Sequence, residues 1–229
     1  MIQSSSLKLK KCFEDHSFVF DLDDTIFYEK DYVISGFHAI SRNLFKKKLV
    51  DKKFNSLINL YNKFSDPFEE FCRQNREIKK NELIKIMREH SPKIKARPGF
   101  KNLIKLIKEN GNEIGVITNG RSKTQRSKFY SLGLHSFVDI LIISSEVKLE
   151  KPNIKIFDLY QYKSRSKKFI FFGNNPRLDI RPIENKECWK TVFCKSNLKM
   201  VKKYDKPNSD LKISSFMDKS LYNEFFIKR

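Results

Sequence analysis

The chain has 229 residues, 39% hydrophobic and 13% aromatic, with 21 Phe among them. Such a composition excludes an intrinsically disordered chain, and the length suits one domain, or one domain carrying an insertion. Lys and Arg outnumber Asp and Glu by 47 to 27, a formal charge of +20, but the basic residues are scattered and gather into no tail or stripe, which speaks against a nucleic-acid partner.

The polar start Ser4-Ser5-Ser6-Leu7-Lys8 lacks the apolar core of a signal peptide, and no apolar run approaches the ~20 residues of a membrane span. Cys12, Cys72, Cys188 and Cys194 form no C-x-x-C pair and have no histidine at zinc-ligand spacing, so they read as reduced thiols. A soluble cytoplasmic protein with no membrane partner is expected.

In chain order, the first predicted element is the strand Phe18-Val19-Phe20, which runs straight into Asp21 and Asp23. A carboxylate at a strand end is held by the scaffold behind it and can serve as nucleophile or metal ligand. Asp23 lies on the same side if the chain stays extended and could move a proton there. A lone D-x-D is also the mark of a solvated acidic turn, so the motif carries function only in company.

A long helical block follows. Val33, Phe37, Ile40 and Leu44 recur at helical spacing, as do Phe54, Leu57 or Ile58, Tyr61 and Phe64, with a shorter set at Leu83, Ile84 and Met87. The pattern predicts three or four helices over 28–95, interrupted at Pro67 and closed by Ser91-Pro92.

From Arg97-Pro98-Gly99 the period changes. A helix over 100–109, ending before Gly111, precedes predicted strands at Ile114–Thr118, Ile140–Ile143, Phe169–Phe172 and Thr191–Cys194, separated by helices around 122–132, 153–161 and 179–187. Strands spaced by helices predict an α/β fold with a mostly parallel sheet buried on both faces, built from 1–27 and 96–229, with 28–95 inserted after the first strand as a lid. Beyond about 195 the chain is Lys-rich, and Leu221, Phe225 and Phe226 predict a last helix docking on the core.

In such a sheet, ligands bind beyond the carboxyl ends of the strands. Polar residues stand at those ends: Asp21, then Thr118-Asn119-Gly120, then Gly173-Asn174-Asn175. Lys151-Pro152 follows the third strand, and its lysine could neutralise a carboxylate or a phosphate oxygen there. Asp179 opens the predicted helix after Asn174, either as a dipole-favoured acid of the first turn or as a metal ligand.

The ordered set Asp21-Leu22-Asp23-Asp24-Thr25, Thr118-Asn119-Gly120, Lys151-Pro152 and Gly173-Asn174-Asn175-Pro176 with Asp179-Ile180 resembles the four motifs of the haloacid dehalogenase-like (HAD) hydrolase superfamily and covers nearly the whole chain. The resemblance implies a Rossmann-like parallel sheet core flanked by helices, with the helical block as an inserted cap of the C1 type. Glu146-Val147, and Gln125 with Lys128, resemble the branch of sugar-phosphate and nucleotide phosphatases.

Carried over residue by residue, the resemblance makes Asp21 the nucleophile that forms an aspartyl-phosphate and Asp23 the acid and base. Thr118, the Asn119 amide and Lys151 would hold phosphate oxygens, Lys151 offsetting their charge. Magnesium would be held by Asp21, the Asp23 carbonyl, Asn174 and Asp179. Tyr28, Tyr32, Gly36 and His38 lie early in the cap, where substrate contacts could originate.

Three positions depart from the pattern: Asn174 stands where aspartate is usual, Lys148 where glycine is usual, and Asn185–Trp189 where a small-residue turn is usual. An amide at position 174 removes one negative charge from a site for a hard cation. The expected function is a magnesium-dependent phosphatase acting on a small phosphorylated metabolite, a sugar phosphate or a nucleoside monophosphate. The alternatives are a weakened HAD-like protein that binds a phosphorylated ligand or partner, and a phosphatase of nucleic-acid ends, which steep salt dependence would mark out.

Overall fold

The computed structural model describes residues 7–195 and 208–228. The serines at 4–6 and the Lys-rich stretch 196–207 lie outside the described residues. A three-residue strand β1 (Leu7–Leu9) precedes β2 (His16–Phe20), the centre of the fold, in which all five residues are buried. Alternation along β2 sends Phe18 and Phe20 into one apolar cluster and Val19 into the other, so the strand is apolar on both faces.

Four helices follow: α1 (Glu29–Leu44), α2 (Val50–Lys63), α3 (Pro67–Gln74) and α4 (Lys80–Glu89). Pro67 begins α3, where a missing N–H costs nothing, and the Asp66 side chain caps the helix by accepting from Glu69 N at 3.0 Å. These helices close over an apolar cluster of their own, centred on Phe37, Ile40, Leu57, Phe71 and Leu83.

The rest of the chain alternates. It runs through α5 (Phe100–Glu109), β3 (Ile114–Thr118), α6 (Ser122–Ser131), β4 (Ile140–Ile143), a single turn α7 (Ser144–Val147), α8 (Ile154–Lys163), β5 (Lys168–Gly173) and β6 (Trp189–Cys194). It then adds β7 (Leu211–Ile213), α9 (Lys219–Phe225) and β8 (Phe226–Lys228). Six strands form one parallel sheet in the order β4-β3-β2-β5-β6-β7, while β1 and β8 pair antiparallel beside it. The order reverses at β2, whose flanks carry β3 and β5, so the crevice beyond β2 and β5 is where such a sheet binds ligands.

One sheet face is covered by α5 and α9, the other by α8. α5 shows why: Phe100, Leu103, Ile104, Leu106 and Ile107 fall on one side and all are buried. On the α8 side, Tyr160 crosses directly over Gly115 of β3 and shares a 2.7 Å hydrogen bond with the Ser17 hydroxyl. A Cβ at Gly115 would collide with the Tyr160 ring and hydroxyl.

Two predicted elements change. No helix spans 179–187: a short π-helical turn covers Pro176–Ile180 and irregular turns follow, because Pro182 lacks the N–H that a continuing helix needs. Leu221 and Phe225 are buried on α9 as expected, but Phe226 leaves the helix to begin β8. Among the described residues no helix is long and apolar enough to cross a membrane.

Replacing Gly115 by alanine is expected to destabilise the protein by about 1–3 kcal/mol, the usual result of overfilling a packed core. Urea denaturation would show it as a lower midpoint at unchanged slope; an unshifted midpoint would mean that Tyr160 moves aside freely.

Candidate active site

Asp21 is the residue immediately after β2, and its N–H still donates to Phe172 O of β5 at 2.9 Å. The backbone then turns sharply. Asp24 sits at φ 54°, in the left-handed region, and its Oδ1 accepts from Glu29 N at 3.0 Å, which fixes the start of α1. The turn brings the Thr25 hydroxyl back to 3.0 Å from Asp21 Oδ2 and 3.3 Å from Asn174 Oδ1, so one proton serves two acceptors.

Asp21 is 7% exposed and Lys151 3% exposed. Lys151 Nζ donates to Asp21 Oδ1 at 2.6 Å and to Asp179 Oδ1 at 2.7 Å. Burial alone would lower the ammonium's affinity for its proton, but the Asp179 and Asp21 carboxylates more than reverse this and hold it above its ordinary range. Burial pushes the Asp21 carboxyl up to about 7, against the pull of the same ammonium. The cation stands between two buried carboxyl groups and offsets part of the effect of burial on Asp21.

Asp179 folds back from the π-helical turn. Its Oδ2 accepts from Asn174 N at 3.1 Å and from Asn175 N at 2.9 Å. Gly173 makes this possible, since a Cβ there would strike the Asp179 side chain. Asp179 thus faces Lys151 through Oδ1 and two backbone amides through Oδ2. Asn119 is committed in the same way: its side chain accepts from Lys151 N at 2.9 Å and donates to Lys151 O at 2.8 Å. That clasp sets the lysine's position and leaves the Asn119 side chain none of the freedom needed to follow a ligand.

Asp23 lies in an adjacent, more open group. Its Oδ1 accepts from Lys128 Nζ at 2.6 Å and its Oδ2 from Gln125 Nε2 at 2.8 Å. Gln125 Nε2 also reaches Thr118 Oγ1 at 2.5 Å, so the end of β3 and the Asp23 carboxylate share one amide. The Lys128 ammonium stands over the Tyr32 ring, 4.4 Å from its centre, which joins α6 to α1. The Tyr32 hydroxyl donates to Met87 O at 2.7 Å.

Asp21, Lys151, Asp179 and Asn174 thus gather at the ends of β2 and β5, with Asp23 and Thr118 beside them. Among the early residues of the insert, Tyr32 borders this region through Lys128, while the Tyr28 ring lies against the Arg97 guanidinium. Gly36 packs under Met87 and His90, and His38 stacks on Phe54 with ring centres 3.7 Å apart, both within the helical insert. Thr25 is a bridge that no single motif marks, although its place four residues after Asp21 is the spacing that one tight turn brings back.

A hard divalent cation needs oxygen donors. Among the described residues no group of three or more His, Cys, Asp or Glu is arranged to hold a metal. The donors present are mixed instead: one carboxylate, Asp21, and one amide oxygen, Asn174, converging on the same hydroxyl. That set fits an oxygen-seeking cation that keeps several of its waters, and carries less charge than two carboxylates would. Replacing Lys151 by methionine, which leaves two buried acids facing each other, is expected to cost about 3–5 kcal/mol of stability in denaturant titration. A loss below about 1 kcal/mol would mean the pair is open to solvent.

Comparison with known proteins agrees with this architecture. The family model for haloacid dehalogenase-like hydrolases matches residues 18–185. The chain is 27% identical over 183 residues to a glyceraldehyde 3-phosphate phosphatase of Methanocaldococcus jannaschii, a match covering 72% of this chain and 78% of that protein. A shorter segment of 61 residues is 46% identical to a pyrimidine 5′-nucleotidase of Escherichia coli and covers 27% of each chain. Among solved structures, a HAD hydrolase of Bacillus subtilis bound to magnesium shares the fold with a TM-score of 0.62 at 17% identity, covering 91% of this chain and 97% of that one. With the family match running from the central strand to beyond Asp179, the chain belongs to the haloacid dehalogenase-like hydrolase family.

Proposed function

We propose that the protein is a magnesium-dependent phosphatase that hydrolyses a small phosphomonoester, a sugar phosphate or a nucleoside monophosphate, through an aspartyl-phosphate on Asp21. The observation that carries this reading is the pairing of Asp21 with Lys151 at 2.6 Å, a buried carboxylate kept available by a fixed cation, beside a second carboxylate on Asp23. Relatives described as phosphatases of glyceraldehyde 3-phosphate and ribulose 1,5-bisphosphate and as a pyrimidine 5′-nucleotidase support the substrate class.

In the first step a carboxylate oxygen of Asp21 attacks phosphorus in line, and the bond from phosphorus to the ester oxygen breaks. The departing alkoxide takes a proton from Asp23 and leaves as the alcohol. In the second step Asp23, now ionised, removes a proton from water, and the resulting hydroxide attacks phosphorus. The Asp21–phosphorus bond then breaks, releasing phosphate and restoring both carboxyl groups. Thr118 and the Asn119 main-chain amide are the donors we assign to the phosphate oxygens, with Lys151 balancing their charge. Lys128 and Gln125 hold the Asp23 carboxylate in place between its two duties.

Asp21, the Asp23 carbonyl and Asn174 would hold the magnesium, which when bound neutralises charge on the transferring phosphoryl group. Asp179 acts through Lys151. The insert 28–95 is assigned as the cap that excludes water and selects the leaving group, with Tyr28 and Tyr32 on its inner side. Four free thiols fit a cytoplasmic enzyme. A second reading, a phosphate-binding protein with little turnover, is favoured by a single residue, Asn174, which takes one negative charge away from the metal's surroundings and so weakens its binding.

Hydrolysis of an aryl phosphate tests the reading without a guess at the natural substrate. Magnesium-dependent turnover is expected, and Asp21→Asn should reduce it at least about a thousandfold with the fold intact. Near wild-type rates in that variant would remove Asp21 as nucleophile. Asn174→Asp should lower the magnesium concentration for half-maximal rate by roughly tenfold, or about 1.4 kcal/mol of affinity. An unchanged requirement would show that the residue is not a ligand.

A further inference from the structure

Arg97 is 3% exposed and stands where the chain returns from the helical insert to the core. Its main-chain N–H donates to Ile26 O at 2.7 Å, and Ala96 pairs with Phe27, so the outgoing and returning segments run side by side here. The side chain reaches further. Nη1 donates to Asp24 O at 3.1 Å, with Thr25 O at 3.5 Å, while Nη2 donates to Lys195 O at 3.0 Å and Ser214 O at 2.9 Å. These oxygens belong to three separate segments: the turn after Asp21, the residue following β6 and the residue following β7.

Each of these acceptors is a main-chain carbonyl. The guanidinium also lies over two rings, 5.0 Å from the centre of Tyr28 and 5.7 Å from that of Phe216. Its Nε is buried without a hydrogen-bond partner among the described residues. A buried cation served by carbonyl dipoles and ring faces is a costly way to tie a backbone. Only the planar fork of arginine offers donors to carbonyls on two edges at once, and an ammonium cannot reproduce that spread.

What is tied explains the cost. Asp24 is held in a left-handed conformation that a side-chain-bearing residue adopts only when its surroundings impose it. The next residue, Thr25, carries the hydroxyl that links Asp21 to Asn174. We propose that Arg97 is a positioning residue: it fixes the Asp24–Thr25 segment against the ends of β6 and β7, and through it the relative placement of Asp21 and Asn174. The kinetic part of this assignment rests on the phosphatase reading above; the structural part does not.

The test compares wild type, Arg97→Lys and Arg97→Ala in the full chain, by aryl phosphate kinetics with magnesium and by amide exchange at residues 25–27 and in β5. Arg97→Ala is expected to lose about a hundredfold in kcat per folded molecule with KM little changed, the scale of a small misplacement of reacting groups. Arg97→Lys should not recover it. Free guanidinium ion at millimolar concentration should restore roughly tenfold of the loss in Arg97→Ala. Exchange at 25–27 should quicken in that variant while β5 is unchanged, and guanidinium should reverse the change.

A wild-type kcat in Arg97→Lys overturns the proposal, as does failure of guanidinium to restore Arg97→Ala. A merely structural role would lower the melting temperature and leave kcat per folded molecule intact. If neither variant folds, Arg97 is a folding determinant and the assignment is wrong. Should wild type itself show no turnover, the phosphatase reading falls and the exchange arm decides: loss of protection confined to 25–27 and reversed by guanidinium upholds the positioning role, and unaltered exchange there overturns it.

Discussion

The contact on which the rest of the site depends is the Lys151 ammonium between the Asp21 and Asp179 carboxylates. Three ionisable groups this deeply buried would each be costly alone, and they are tolerable only as a set whose remaining lone pairs are occupied. The chain arranges that at some distance in sequence. Thr25 occupies the second oxygen of Asp21, the Asn174 and Asn175 amides occupy that of Asp179, and the Asn119 side chain clasps the lysine's backbone from both sides. Gly173 is part of the same arrangement, because the approach of Asp179 leaves no room for a side chain there.

The parallel sheet makes such a convergence possible. Its strand order reverses at β2, so the ends of β2, β3 and β5 open on one crevice, and the loop after α7 brings Lys151 in from the side of β4. Each segment contributes one or two polar residues and the apolar strands behind them supply rigidity. Chemistry of this kind needs acids held away from water yet still able to ionise, and strand ends that stop just past a phenylalanine-rich core provide that boundary.

Much of this was legible from the amino-acid order because it is local. A run of Phe-Val-Phe ending on Asp21 and Asp23 is an unusual way to leave a strand, and the helical spacing of Val33, Phe37, Ile40 and Leu44 marks α1 directly. The strands β3 to β5 are apolar runs bounded by polar turns and lie where that pattern places them. What could not be read depends on partners far apart in sequence. β1 and β8 are three residues each, too short for a period, and exist because they pair with each other. Asp179 could be placed near the site, yet its bonds to Lys151 and to two backbone amides join segments that no local pattern connects. Arg97 looked like one basic residue among 47, and its four carbonyl partners lie in segments that no local pattern connects. The helix expected over 179–187 failed for a reason that was visible: Pro182 stood inside it.

The insertion of four helices between β2 and its neighbours also bears on how the chain emerges from the ribosome. β2 is translated before either of its partners, and Phe18 waits for Ile114 and then Ile170 to arrive. The insert, whose apolar cluster draws only on its own residues, is complete before β3 has been made. Helical contacts close quickly because they are near in sequence, whereas parallel strand pairing must first close a long loop. The nascent chain therefore carries a helical module ahead of its sheet, with a phenylalanine-rich strand on the amino-terminal side still unpaired. Until β3 and β5 are made, that strand lacks both of its neighbours in the sheet.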